Sequence, residues 1–196
     1  MDETWNTRLT LIQRAKGQDE LAWKEFTEFY KKLIYYILNR LNVPLPEIED
    51  LTQEILLKLW RGLKSYEPGQ CKFRTWLSTV IRNTAYTHLN KANSYNNMKH
   101  DLKETQGDTT AYTEPEMDKV IDREWKLYLS NMAMERLSKT FSENIITAFK
   151  MGLEGVSAED SAEQLGMTVR SIYSLRSRVK KVFLREVRTL MEEYEE

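Results

Sequence analysis

Residues 47–90 read EIEDLTQEILLKLWRGLKSYEPGQCKFRTWLSTVIRNTAYTHLN, and the fold is decided by this stretch. In its first half Ile48, Leu51, Ile55, Leu59 and Leu63 recur every three or four residues, which makes one apolar stripe on a helix. Asp50, Gln53, Glu54 and Arg61 recur at helical spacing on the other side and form a polar face open to water or a partner. Glu67-Pro68-Gly69-Gln70 then places Pro and Gly at the centre of a turn, a pairing that suits type II. A second helix follows, with Phe73, Trp76, Leu77, Val80, Ile81, Thr84 and His88 on one face. Arg74, Ser78, Arg82 and Asn83, with Tyr86 and Asn90 further on, fall on its flanks or its opposite side.

Upstream of this stretch, Leu9, Ile12 and Ala15 suggest a helix ending near Lys16-Gly17. Asp19 is placed to cap the next one, whose apolar residues from Leu21 to Leu41 keep the helical period. Two prolines in Asn42-Val43-Pro44-Leu45-Pro46 end it. Trp23, Phe26, Phe29, Tyr30, Tyr35 and Tyr36 cluster along that helix, and their spacing favours core packing over a platform for stacked bases.

Downstream the character changes. Lys91 to Glu116 is rich in Asn, Thr, Asp, Glu, Lys and Gly, keeps no period and reads as a linker. From Met117 the helical pattern resumes through Val120, Ile121, Trp125, Leu129, Met132 and Leu137, as one helix or two ending before Thr140. Ser142-Glu143 opens another that closes near Gly152–Gly155. Ser157 reads as an N-cap with an acidic first turn, Gly166 as a left-handed C-cap and Thr168 as the cap of a final basic helix. A short helix, a glycine turn and a second helix make a helix-turn-helix. The chain is thus expected to be all-α, in two small helical domains. These cover residues 1–92 and 117–196, joined by a polar linker over 93–116, with the helix-turn-helix in the C-terminal one.

The net charge of −1 hides a strong pattern. Residues 51–100 carry +6 and residues 166–190 carry +6, separated by −7 over residues 101–165. Each basic block alone could be a solvated helix face. Two of them, each on a helical motif, point to phosphate, because only charges within a Debye length of about 10 Å are felt. The second helix of a helix-turn-helix enters the major groove by its N-terminal half. Arg170, Ser171, Tyr173 and Ser174 are therefore the candidates for reading bases, with Arg176 further along the same basic helix. Arg178, Lys180 and Lys181 are expected to meet phosphate or stay solvated.

Other function classes find no support. The sequence contains neither GxxxxGK[ST] nor GxGxxG, and His88 on its helix face reads as a satisfied histidine rather than a general base. Cys71 is the single cysteine, and with only His88 and His100 there is no zinc set. No catalytic residue, metal or cofactor is assigned. With no run of eighteen apolar residues and no signal-peptide pattern at MDETWNTRLT, a cytoplasmic protein without membrane insertion is expected.

EDLTQEILLKLW, a turn, and FRTWLSTVIRNTAYTHL together resemble conserved region two of a bacterial RNA polymerase sigma factor of the small extracytoplasmic-function (ECF) group of the sigma-70 family. The resemblance implies that Asp50, Gln53 and Glu54 face core RNA polymerase, and that Arg74, Trp76, Arg82 and Asn83 sit towards promoter DNA as it melts. Family members carry several Arg after the melting helix where this chain has Asn90-Lys91-Ala92-Asn93, so the resemblance implies either a weaker grip on the downstream strand or one moved onto Lys91, Lys99 and Tyr95. Trp76 keeps two readings, core packing on the apolar face and stacking on an unpaired base. Gly166, Ile172, Ser174, Arg178 and Lys180 are similarly spaced to region four of the same group, whose helix reads the upstream promoter element. Ser171 and Tyr173 depart from that pattern, so no base preference follows. The expected function is promoter recognition and melting with core polymerase, and a separate anti-sigma protein is left open as a partner. A helix-turn-helix regulator acting without the core enzyme, or a helical adaptor for an acidic protein, are the alternatives.

Overall fold

Asp19 sets the first corner of the chain: its carboxylate accepts the backbone N–H groups of Leu21 and Ala22 at 3.0 and 3.1 Å and starts a helix. The computed structural model describes the backbone of residues 6–17, 19–67, 69–100 and 112–195, and the side chains of 11–17, 19–67, 69–91 and 112–194. Among these residues there are eight helices and no strand: α1 Asn6–Lys16, α2 Glu20–Arg40, α3 Leu45–Leu63, α4 Phe73–His100, α5 Glu114–Thr140, α6 Glu143–Leu153, α7 Ala158–Leu165 and α8 Val169–Glu195. Residues 1–126 with 194–196 form one compact unit and residues 127–193 another.

In the first unit α1, α2, α3 and α4 pack as consecutive neighbours, and α1 also reaches α3. The stripe read from the sequence of α3 is the buried one: Ile48, Ile55 and Leu59 are fully covered and Leu51 and Leu63 nearly so. They meet Phe26, Leu33, Ile34, Ile37 and Leu38 of α2 and Phe73, Leu77 and Ile81 of α4. Pro44 serves as N-cap of α3 and Pro46 sits in its first turn, where the missing N–H costs nothing. The prolines thus end one helix and begin the next two residues earlier than Glu47. The turn before α4 has Gly69 at φ 109° with Gln70 N–H donating to the Glu67 carbonyl at 3.3 Å, while Pro68 lies outside the described residues.

Two expectations change. Tyr35 and Tyr36 leave the aromatic cluster and stand 41% and 49% exposed, because α2 needs only one covered face. Helix α4 runs on to His100, into the segment expected as linker, since no Pro or Gly occurs between Asn90 and His100 to stop it. The side chains of Tyr95 and Lys99 lie outside the described residues.

Helix α5 is a single helix that begins at Glu114, where Glu116 Oε2 accepts both the N–H and the hydroxyl of Thr113, at 2.8 and 2.7 Å. Its opening turns belong to the first unit, ten residues beyond the boundary expected at 117. Met117, Ile121 and Trp125 follow at intervals of four and are buried, so this half of the helix has its own apolar stripe.

In the second unit Leu137, Ile146, Phe149 and Val179 form the larger core cluster. Ala148, Ala158, Ala162 and Ile172 form a tighter one, in which small residues let α6, α7 and α8 approach closely. Ser157 Oγ accepts Asp160 N–H at 3.0 Å to start α7. Gly166 at φ 63° ends it, with Met167 N–H returning to Ala162 and Gly166 N–H to Glu163. Thr168 Oγ1 then accepts Ser171 N–H at 3.2 Å and starts α8. Arg136 of α5 ties to Glu186 and Glu193 of α8 at 2.6 and 3.1 Å.

Candidate nucleic-acid and protein interfaces

The polar side of α3 is a clean, open face. Asp50, Gln53, Glu54 and Arg61 are all exposed, and Glu54 holds Lys58 at 2.8 Å. In their midst stands Leu57, 54% exposed. It lies two residues from Ile55, about 200° round the helix, and so faces away from the core. Sequence reading did not single it out. The signal was available in the angular position of residue 57 relative to the stripe. An apolar side chain ringed by Asp50, Gln53 and Glu54 is the make-up of a protein interface: a nonpolar anchor with polar rim groups.

On α4 the five expected DNA-facing residues do not share one surface. Arg74 and Arg82 line a notch of about 300 Å³ with Thr75, Ser78 and Thr79, closed from the α5 side by Asp118, Ile121 and Asp122. Arg82 Nη1 donates to both carboxylate oxygens of Asp118, at 2.9 and 3.1 Å, and Arg74 Nη2 bonds Asp122 Oδ1. The Arg74 guanidinium also lies 5.4 Å from the centre of the Trp125 ring. Asn83 is exposed, but it sits nine residues after Arg74 and therefore on the opposite side of α4. Lys91 is exposed near the far end.

Trp76 resolves between its two readings. Its ring centre is 5.4 Å from both Tyr66 and Phe73, within a cluster that continues to Phe26 and Tyr30. The edge of its ring also points at Gly62, where a Cβ would come within 2.9 Å of Cζ2. Trp76 thus packs α4 onto α3. Gly62→Ala should therefore cost about 1–3 kcal/mol through overpacking, measurable as a lower urea midpoint with unchanged m-value. His88 is also satisfied, with Nε2 2.8 Å from Glu47 Oε2.

In the second unit α8 exposes Arg170, Ser171, Tyr173, Ser174, Arg178, Lys180 and Lys181. Tyr173 stands 60% open. A groove of about 610 Å³ runs beside the first of these, lined by Ser142, Asn144, Thr168, Arg170, Ser171 and Ser174 among others. Ser142 is the N-cap of α6 yet its hydroxyl makes no capping bond, so the positive end of α6 opens into the same groove. Arg178 lies 5.5 Å over the Phe141 ring, which holds its charge beside the groove rather than loose in water.

Arg176 departs from expectation. Its Nε donates to the Ala148 carbonyl at 3.0 Å, and its Nη2 donates to the Val156 carbonyl at 3.1 Å and to Ser161 Oγ at 2.6 Å. Gly152 makes the room, since a Cβ there would meet Arg176 Nε at 2.7 Å. The side chain therefore points into the unit and cannot lie on DNA. It fixes the rotation of α8 against α6 and α7.

Comparison with known proteins adds a family. The profile of the Sigma-70 region 2 family matches residues 26–95. The chain is 23% identical to the ECF RNA polymerase sigma factor SigW of Bacillus subtilis (strain 168) over 181 residues, 91% of this chain and 96% of that protein. It is 26% identical to the ECF RNA polymerase sigma-E factor of Haemophilus influenzae (strain Rd) over 190 residues, 94% of this chain and 97% of that protein. A shorter match, 29% identical over 75 residues, joins it to the ECF RNA polymerase sigma factor SigK of Mycobacterium tuberculosis (strain H37Rv), covering 38% of this chain and 40% of that protein.

Proposed function

The chain belongs to the extracytoplasmic-function RNA polymerase sigma factors, and from that premise we propose which of its faces meets which partner. It directs RNA polymerase to promoters in transcription initiation. The alternatives of a free-standing regulator or an adaptor are not favoured, because the two relatives that match over nearly their whole length are both sigma factors.

In our reading α3 docks on core polymerase through Asp50, Gln53 and Glu54, with Leu57 as the apolar anchor. The exposed face of α3 is the observation that carries this, since among the described residues no element of its own unit covers it. Arg74, Arg82, Asn83 and Lys91 engage the downstream promoter element as it opens. Helices α7 and α8 act as a helix-turn-helix on upstream duplex. Arg170, Ser171, Tyr173 and Ser174 reach base edges, and Arg178, Lys180 and Lys181 meet phosphate beside the open N-terminus of α6. Of the linker expected over 93–116, residues 101–111 lie outside the described residues. The chain performs no chemistry in this scheme, and an anti-sigma protein would act by covering these same faces.

The test is co-elution of the full chain with core polymerase, wild type against D50A/Q53A. Binding by wild type and its loss in the variant are expected, and equal binding by both would sink the assignment of this face. The duplex side is checked separately. Each phosphate contact contributes about 0.9 to the slope of log K against log salt. K180A/K181A should thus flatten that slope by about 1–2 on promoter duplex while leaving sequence preference unchanged.

A further inference from the structure

The two arginines assigned to the opening promoter strand are engaged by the chain's own carboxylates. Asp118 and Asp122 stand four residues apart on α5, each one residue after a buried apolar neighbour, Met117 and Ile121. The apolar stripe seats the helix, and seating it delivers the acid pair to Arg82 and Arg74. The arginine side chains are 23% and 20% exposed, whereas the aspartates remain 49% and 60% exposed. The covered partners are thus the cations, and the carboxylates stand at the mouth of the notch, where a phosphate approaching from solvent would lie. Arginine binds carboxylate and phosphate by the same fork of donors, so the two ligands are mutually exclusive at each guanidinium.

We propose that Asp118 and Asp122 are an internal stand-in for DNA phosphates, closing the Arg74/Arg82 site until the promoter strand displaces them. Solvent-exposed ion pairs are individually weak, so the mask yields to a polyanion yet lowers the apparent affinity of the free chain by the fraction of time it is closed. The opening turns of α5 make this possible by docking on the first unit instead of beginning the second. The proposal rests on the reading of Arg74 and Arg82 as DNA ligands.

The experiment is a fluorescence-anisotropy titration of the full chain with a labelled single-stranded oligodeoxynucleotide of promoter sequence. D118N/D122N is expected to bind about three- to tenfold more tightly than wild type, and adding R74Q/R82Q to it should abolish the gain. E25Q/E28Q makes the same change in net charge on α2 and should leave affinity within twofold. An equal gain from E25Q/E28Q, or none from D118N/D122N, overturns the mask. Should D118N/D122N melt below the assay temperature, D122N alone carries the test, because Asp122 is the more exposed of the pair. The two readings fail differently. If R74Q/R82Q weakens DNA binding but D118N/D122N does not strengthen it, only the mask falls. If R74Q/R82Q opens promoters with core polymerase as well as wild type does, the arginine site falls with it.

Discussion

Replacing Arg176 with Met is expected to lower the unfolding free energy of residues 127–193 by about 3 kcal/mol. The guanidinium serves four acceptors, the Ala148 carbonyl of α6, the Val156 carbonyl of the following turn, the Ser157 carbonyl and Ser161 Oγ of α7. Ser161 is fully buried and its hydroxyl donates to the Ser157 carbonyl at 2.7 Å, so the network continues through the N-cap of α7. Hydrogen bonds from a charged donor contribute about 1.5–3 kcal/mol each, and several in one network do not add in full. A unit of this size has on the order of 3–10 kcal/mol in total, so the loss is a large share of it. Arg176→Lys keeps the charge but offers one point donor in place of a fork, and should recover less than half. Urea denaturation of the full chain, with amide exchange to locate the loss in residues 127–193, is the measurement. A variant within about 0.5 kcal/mol of wild type would return Arg176 to the surface. Because the same side chain sets the rotation of α8, the Met variant should also lose duplex binding before it loses helicity.

The second large effect is expected at the α3 face. D50A/Q53A should weaken binding to core polymerase by about 3 kcal/mol, a little over a hundredfold in Kd, at about 1–3 kcal/mol for each partner group left unpaired across the contact. Leu57→Ala separates anchor from rim. Burial of a leucine side chain contributes about 1.5–3 kcal/mol, and part of Leu57 is already covered, so a loss of roughly tenfold is expected. Being 54% exposed in the free chain, Leu57 can be trimmed with little change in melting temperature. Binding and stability should therefore separate: core affinity drops while the melt is preserved. Full affinity in Leu57→Ala would leave Asp50, Gln53 and Glu54 as a purely polar contact, and its salt dependence would then have to be steep.

The amino-acid sequence by itself determined where several of the helices begin or end, though not the far end of α4. Asp19, Ser157, Thr168 and Gly166 act on groups within a few residues of themselves, and so does the Glu67–Gln70 turn. It also determined which side of α3 is buried, since a stripe at Ile48, Leu51, Ile55, Leu59 and Leu63 has one way to leave water. The polar face opposite followed from the same arithmetic. Tertiary structure alone decided what the long side chains do. Arg176 looks like any basic residue of a recognition helix until the carbonyls 20 and 28 positions earlier come within its reach. Arg82 looks free for DNA until Asp118, 36 positions on, is seated beside it by a buried stripe on α5. Trp76 packs inward where Tyr66 and Phe73 meet its ring and Gly62 leaves room for its edge. The reason is one of range. A cap or a turn is closed by near neighbours and is written in the local sequence. An arginine or tryptophan spans several ångströms and takes whichever partner the packing of distant helices brings to it.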